Sequence, residues 1–370
     1  MNLHSLQHLQ TSLARIDDLI RQAVLRAQAA GQDPTDALRG LVISDDDVAQ
    51  QVERTPLAGL WDDDNTLEVL LEPPHTGDDL PFQHLLTMFK LTALDAYILL
   101  LCLAPEFDRR YERLYAYLQD DVSQRRPTLN LLMNILGGNL EERYAVHERL
   151  LPHAPLRRFH LLEAQPPAGQ SDVTFLGYTL RVDARLVMYL TGDSQPDARL
   201  KAMVRLEGLT QLAADEVPLH LPAADTMVYM KGSSDHTGQH EAAAAVCRHH
   251  ALPLVTINLA ALYETDGDKE LLWRLALREG YLNGAGLLLE KWELCLNEHD
   301  GQPPAYLWQA LLAYPLPLFI SARTDWEPLD IDRPRRLLRL EFGLPAVPER
   351  RATWQQLIDR HEMAVEPRVL

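Results

Sequence analysis

Cysteine is scarce: three in 370 residues, Cys102, Cys247 and Cys295, far apart and without a CxxC pair. That pattern excludes a disulfide framework and a four-cysteine zinc site, and it fits a reducing compartment. Long apolar runs are missing as well. The longest, Ala96 to Ala104, is too short to span a bilayer, and the amphipathic start MNLHSLQHLQTSLARIDDLI lacks a signal-peptide core. Positive charge is in deficit, with 35 Lys and Arg against 53 Asp and Glu and a net charge of -18. Affinity for a phosphate backbone needs clustered cations, so nucleic acid is not expected as a partner. No GxSxG occurs, and no nucleophile and base are paired by spacing. These absences describe a cytoplasmic protein with no membrane and no nucleic-acid partner.

What is present is enough apolar residue, 46% of the chain, to build sizeable cores. At roughly 150 residues per domain, the length implies two or three of them. Residues 3 to 30 read as one helix, with Leu3, Leu6, Leu9, Leu13, Ile16, Ile20 and Val24 at helical spacing and Gly31 and Pro34 after it. Docking on its own chain is the plain reading, and an assembly helix for a neighbouring subunit the sharper one. Residues 35 to 85 read as an acidic, irregular wrap. The first 80 residues hold 15 acids and 5 bases, and the Asp45–Asp47 and Asp62–Asp64 runs match no EF-hand spacing. Arm and wrap together make a first region, 1–85.

Residues 86–190 read as a helical domain that ends in a hairpin. Leu91 to Leu103 is a buried helix with Thr92 as N-cap and Asp95 completing a capping box, and Pro105 is expected to end it. Tyr111 to Gln119 is a second helix. Thr128 to Leu136, closed by Gly137-Gly138, is a third. Phe159 to Ala164 and Phe175 to Val182 form strands. Three helices and a hairpin make a winged helix, with TLNLLMNIL as its recognition helix. That helix has no cation, and only Arg125-Arg126 and Arg157-Arg158 are basic pairs nearby, so a protein contact is favoured over DNA reading. Residues 191–223 read as a linker containing one helix, Ala198 to Leu206.

From residue 224 strands and helices alternate, as in a parallel sheet. Strands are expected at Met227–Met230, Pro253–Leu259, Gly286–Leu289, Leu316–Ser321 and Leu337–Phe342. Helices are expected at Gln239–His250, Lys269–Tyr281 and Pro304–Ala313. The turn after the first strand sits where a P-loop would aim backbone N–H groups at phosphates. Its residues fail the pattern Gly-x4-Gly-Lys-Ser/Thr. Thr237-Gly238 fits, but Gln239 stands at the lysine position and His240 at the magnesium-binding hydroxyl, and Asp235 adds charge of the wrong sign. The third strand ends in Glu290, a substitute for a metal-coordinating Asp. Lys291 follows where a water-activating base belongs, and a cation cannot serve as one. Cys247 with His250 lacks further ligands, and no metal is expected.

The order of these elements over residues 224 to 360 resembles the AAA+ ATPase module. The fold class this implies is multidomain: a helical, winged-helix N-terminal region, then a three-layer α/β P-loop-like domain with a parallel sheet at 224–345. Residues 346–370 would begin a helical lid. The resemblance implies ATP and Mg²⁺ as family cofactors, though neither is expected to bind this chain tightly. It places Arg333, Arg335 and Arg336 where arginine fingers occur, and Ser321-Ala322-Arg323-Thr324-Asp325 where a sensor Asn is usual. The whole order, with the segment Leu99 to Tyr111, resembles the N-terminal half of bacterial AAA+ ATPases with a winged-helix front end, some encoded with extracellular contractile injection systems. An intact second module would then follow Leu370. The resemblance implies a ring-forming homo-oligomer with protein clients or adaptors and a catalytically degenerate first module. A weak ATP-binding module within an active ATPase is one alternative; a winged-helix transcription regulator with a ligand-sensing α/β domain is another.

Overall fold

A computed structural model describes residues 3–29, 80–167, 169, 172–212, 226–232, 238–329 and 334–343, with isolated positions 52, 351 and 355. It divides into two compact units, residues 1–195 and 196–370. The acidic runs at 45–47 and 62–64, Thr237, Arg333 and, apart from positions 351 and 355, the expected lid lie outside the described residues.

The first unit is helical. Helix α1 (Leu3–Ala29) buries a stripe of Ile16, Leu19, Ile20, Ala23 and Ala27. It packs on α3 (Ala93–Phe107), α4 (Arg110–Leu118) and α5 (Leu129–Leu136), so it docks on its own chain. Asp17 of α1 accepts hydrogen bonds from Arg110 (2.6 Å) and the Tyr111 hydroxyl (2.7 Å). A short helix, α2 (Pro81–Met88), precedes α3 and buries Phe82, Leu85 and Leu86. In α3 the capping box forms as expected: Thr92 Oγ1 accepts from the Asp95 amide, and Asp95 accepts from the Thr92 amide.

Pro105 does not end α3, which runs on to Phe107. Proline removes the N–H that would have bonded the Leu101 carbonyl four residues back. The Tyr115 hydroxyl donates to that carbonyl instead, at 2.7 Å, and both groups are buried. A neighbouring helix thus satisfies the acceptor the proline leaves open, and the last turn survives.

The loop before α5 is held by one side chain. Gln119 Nε2 donates to the carbonyls of Tyr115, Gln124 and Arg126, while its Oε1 accepts from the Thr128 amide and hydroxyl. A further helix, α6 (Leu140–Arg149), follows α5 after Gly137-Gly138-Asn139. It was not expected, because LEERYAVHER carries little apolar period and buries only Arg143 and Val146. One turn, α7 (Pro155–Arg158), then delays the first strand, so β1 is Leu162–Gln165 rather than beginning at Phe159. Phe175–Gly177 is a 3₁₀ turn, and β2 (Thr179–Val182) pairs antiparallel with β1. Thr128 also bridges Thr179, so the hairpin has a third, one-residue strand beside it. Helix α8 (Ala184–Leu190) closes the unit.

The second unit is a three-layer α/β sandwich. The helix expected at Ala198–Leu206 is instead a 3₁₀ turn, Ala198–Leu200, followed by strand β3 (Val204–Glu207). Asp197 sets that turn. It is buried and bonds the Arg199 amide and guanidinium as well as the fully buried Arg278 (2.8 Å) of a later helix. The remaining strands are β4 (Thr226–Gly232), β5 (Leu254–Asn258), β6 (Gly286–Glu290), β7 (Leu318–Ala322) and β8 (Arg336–Phe342). Their order is β3-β5-β6-β7-β4-β8, parallel except for β3 at the edge.

Helix α9 (Gln239–His249) covers one face through Ala242, Ala243, Val246 and Cys247 against Val228, Met230, Leu288 and Phe319. Gly286 permits that approach, since a Cβ there would overlap the Cys247 sulfur. Helix α10 (Leu259–Glu264) follows β5 directly, and α11 (Lys269–Asn283) packs on the opposite face, where a Cβ at Gly280 would come within 2.7 Å of Leu287. Helix α12 (Ala305–Ala313) completes that layer, with Tyr281 and Tyr314 rings edge to face at 4.9 Å. Among the described residues no helix is long and apolar enough to cross a membrane.

Candidate functional site

The chain leaves β4 for β5 at the far side of the sheet, steps back through β6 and β7, and only then reaches β8 on β4's other side. The winding therefore reverses between β4 and β7. In open α/β sheets such a reversal leaves a crevice outside the carboxyl ends of the strands, where ligands bind. Met230 and Ser321 face each other across it in register. Gly238, at φ +86°, turns the chain into α9 there; a side chain at that φ would be strained.

Gln239, the first residue of α9, is 6% exposed and does not point out of the crevice. Its Nε2 donates to the Met230 carbonyl at 2.8 Å, and its Oε1 accepts from the Ser321 hydroxyl at 2.8 Å. The amide ties β4 to β7 at the reversal. His240 Nε2 lies 2.7 Å from Glu207 Oε2, so the next residue is held by the edge strand β3. Glu290, half-buried at the end of β6, has no hydrogen bond or ion pair among the described residues. Lys291 adopts the left-handed conformation at φ 63° and begins a 3₁₀ turn, Trp292–Cys295. Two further groups border the same strand ends. Lys231 pairs with Asp325 at 2.6 Å, and Glu293 accepts from the Arg323 amide at 3.4 Å.

The expected arginines separate. Arg335 is 5% exposed, and its guanidinium donates to the carbonyls of Tyr314 (2.5 Å) and Leu316 (2.7 Å). A side chain clamped on backbone cannot reach a neighbouring subunit's phosphate. Arg336, the first residue of β8, is exposed and makes no ion pair among the described residues. Cys247 lies in the core against Gly286, and burial pushes its thiol up to about 12. Among the described residues no three His, Cys, Asp or Glu side chains group as metal ligands.

In the first unit, α5 and α6 are joined by three residues, two of them glycine, as in a helix-turn-helix. The second helix of that motif holds the recognition position. It is α6, not Leu129–Leu136, which lies buried in the core. The hairpin β1–β2, bridged by Thr128, follows as the wing. A family model described as "Winged helix domain, variant" matches residues 3–204, more than half of the chain. The chain belongs to this winged-helix family. Its match ends at Val204, the first residue of β3, so the winged-helix family region includes the 3₁₀ turn at Ala198 and stops where the edge strand of the α/β sheet begins.

Solved structures resemble part of the winged-helix chain. One is the AAA domain of FIGL-1 in complex with ADP, 19% identical over 36% of this chain and 48% of that one, with a TM-score of 0.30. Another belongs to the HORMA:CdnC:Trip13 complex of E. coli MS115-1, 14% identical over 36% of this chain and 53% of that one, with a TM-score of 0.24. The chain thus spans about half the length of each. No curated protein matches it.

Sequence spacing located Gln239, His240 and Glu290 at one rim of the sheet. It missed Ser321 as the partner of Gln239 and Glu207 as the partner of His240. Neither has a sequence signal, because both pairings span the fold, 82 and 33 residues apart in the chain.

Proposed function

We propose that this winged-helix protein is an assembly and regulatory component of an AAA+-type ATPase, with a catalytically degenerate nucleotide site. Gln239 carries the reading. Both polar ends of the side chain at the lysine position are engaged with the sheet, which leaves no cation at the start of α9 to meet a phosphate. His240 is bonded to Glu207 where a hydroxyl would hold magnesium, and Lys291 follows Glu290 where a base would activate water. These residues do not fit a magnesium-bound triphosphate. The module is then a structural tier, its ring contacts with copies of itself or with an active module, and its clients engaged by the winged-helix unit. Of the expected arginines among the described residues, Arg336 is the exposed one that would reach across such a contact. Isothermal titration of the full chain with ATP–Mg²⁺ tests the proposal. Binding should be weaker than roughly 100 μM, about -5.5 kcal/mol, with no phosphate released. Micromolar binding that Gly238→Asp abolishes would overturn it.

The protein-contact reading of the winged helix is supported by α6. That helix places the exposed Glu141 and Glu148 at the position that would face DNA phosphates. This disfavours the transcription-regulator alternative.

A further inference from the structure

The two faces of α6 divide its charges. Its arginines turn inward: Arg143 is 8% exposed and donates to Asn134 Oδ1 at 2.5 Å, and Arg149 lies 3.7 Å from the buried Asp95. Its outer face keeps Glu141 and Glu148, both exposed and without an ion pair among the described residues. Beside them stand two large apolar residues, Leu140 and Tyr144, each 60% exposed. They lie one helical turn apart and so share a face.

This face continues onto the wing. The Tyr144 ring stacks on His147 (6.1 Å), His147 meets Phe175 edge-on (5.7 Å), and Phe175 meets Tyr178 (5.5 Å). Leu176, beside Phe175, is 43% exposed, and Asp172, three residues before Phe175, is an exposed acid without an ion pair among the described residues. A row of rings therefore joins the recognition helix to the turn ahead of β2, with apolar side chains exposed along it and carboxylates beside them. A contiguous exposed apolar patch with a polar rim marks an interaction site.

We propose that this face docks a basic, leucine-bearing protein segment. Lysine or arginine side chains would meet Glu141, Glu148 and Asp172 and lie over the Tyr144 ring, where a cation is attracted by the negative face. Apolar side chains would cover Leu140 and Leu176. The occupant follows from charge complementarity: free carboxylates and aromatic faces suit a cationic partner and repel both DNA and an acidic peptide. The inference rests on the protein-contact reading of the winged helix and gives it a surface and a partner chemistry.

Fluorescence anisotropy on the full chain at physiological salt tests it with three labelled probes: a short amphipathic peptide of leucine and lysine, the same peptide with glutamate for lysine, and a DNA duplex. The lysine peptide should bind. The triple variant Glu141→Lys/Tyr144→Ala/Glu148→Lys should weaken it by about tenfold or more. The charge pair alone, Glu141→Lys/Glu148→Lys, should acquire binding of the glutamate peptide. All these residues are exposed, and circular dichroism checks that the fold is kept. Lysine-peptide binding unchanged in the triple variant would overturn this surface while leaving the protein-contact reading standing. Failure of the wild-type chain to bind the lysine peptide would overturn the proposed chemistry. Salt-sensitive duplex binding by the wild-type chain would overturn both readings together.

Discussion

The amide of Gln239 has one donor and one acceptor turned to the sheet, and each finds a partner there. Substituting leucine keeps the volume and orphans a buried carbonyl and a hydroxyl. Gln239→Leu should therefore lower stability by about 1–3 kcal/mol in urea unfolding without changing nucleotide affinity. On the proposed nucleotide-site reading, introducing Gln239→Lys and His240→Thr should raise ATP affinity about ten- to a hundredfold, since a charge-assisted bond contributes about 1.5–3 kcal/mol. Hydrolysis should stay absent, because Lys291 is unchanged. Unchanged affinity in a folded double variant would mean that the turn does not cradle phosphates. The same accounting of single groups applies to Leu101 and Tyr115. Tyr115→Phe should cost about 1–3 kcal/mol by leaving the buried Leu101 carbonyl unmet. In a Pro105→Ala background the new backbone N–H can reach that carbonyl, so the cost of Tyr115→Phe should shrink. Additivity in this double-mutant cycle would refute the compensation.

At the scale of elements, the turn Ala198–Leu200 and strand β3 depend on Asp197. Removing its charge takes away the anion that holds the fully buried Arg278, so Asp197→Asn should destabilise the second unit by about 3 kcal/mol. Burial works to raise the Asp197 pKa, but hydrogen bonds and charge from Arg199, with Arg278, hold it below the ordinary carboxylate value. A depressed folded pKa gives stability that is fully present above the unfolded value, about pH 4, and lost as pH falls through the folded one. Unfolding followed from pH 6 to 2 should show this loss in the wild-type chain and a flatter profile in Asp197→Asn. The elements legible in sequence were those with a strong local signal: the capping box of α3, the β-branched and leucine-rich parallel strands, and the alanine-rich α9. Those missed had none. Helix α6 carries no apolar stripe that repeats at helical spacing and is fixed by Asn139 as N-cap and by Arg143 reaching Asn134. Strand β3 is four residues long, and its pairing partner β5 lies some fifty residues onward. Pro105 misled because its compensating donor sits on another helix. At the site, residue identities were legible from spacing, but their partners were not, because those depend on which strands lie side by side.

Over the whole molecule, each of the two units has its own core, and the three thiols are divided between them, one in the first and two in the second. Cys102 is buried in α3 of the first; Cys247 and Cys295 are buried in the second. Burial raises all three pKa values above the ordinary thiol, to about 12 for Cys247. The thiolate is the reacting species, so burial that raises these pKa values leaves the thiols poorly reactive at pH 8, before access is considered. Native chain should therefore give almost no colour with a disulfide reagent, and three thiols per chain in strong guanidinium. Gly286→Ala makes the point sharper. The added methyl overlaps the Cys247 sulfur where α9 crosses the sheet, and relief requires the sulfur to turn or α9 to shift on the strands. Overpacking of this kind costs about 1–3 kcal/mol. Mass-spectrometric mapping of alkylation in this variant should find Cys247 labelled first, Cys295 with it or later, and Cys102 still protected. Equal labelling of Cys102 would mean that the helical core and the α/β core open as one cooperative body, since a strain confined to the α9 face would then have loosened a helix in the other unit.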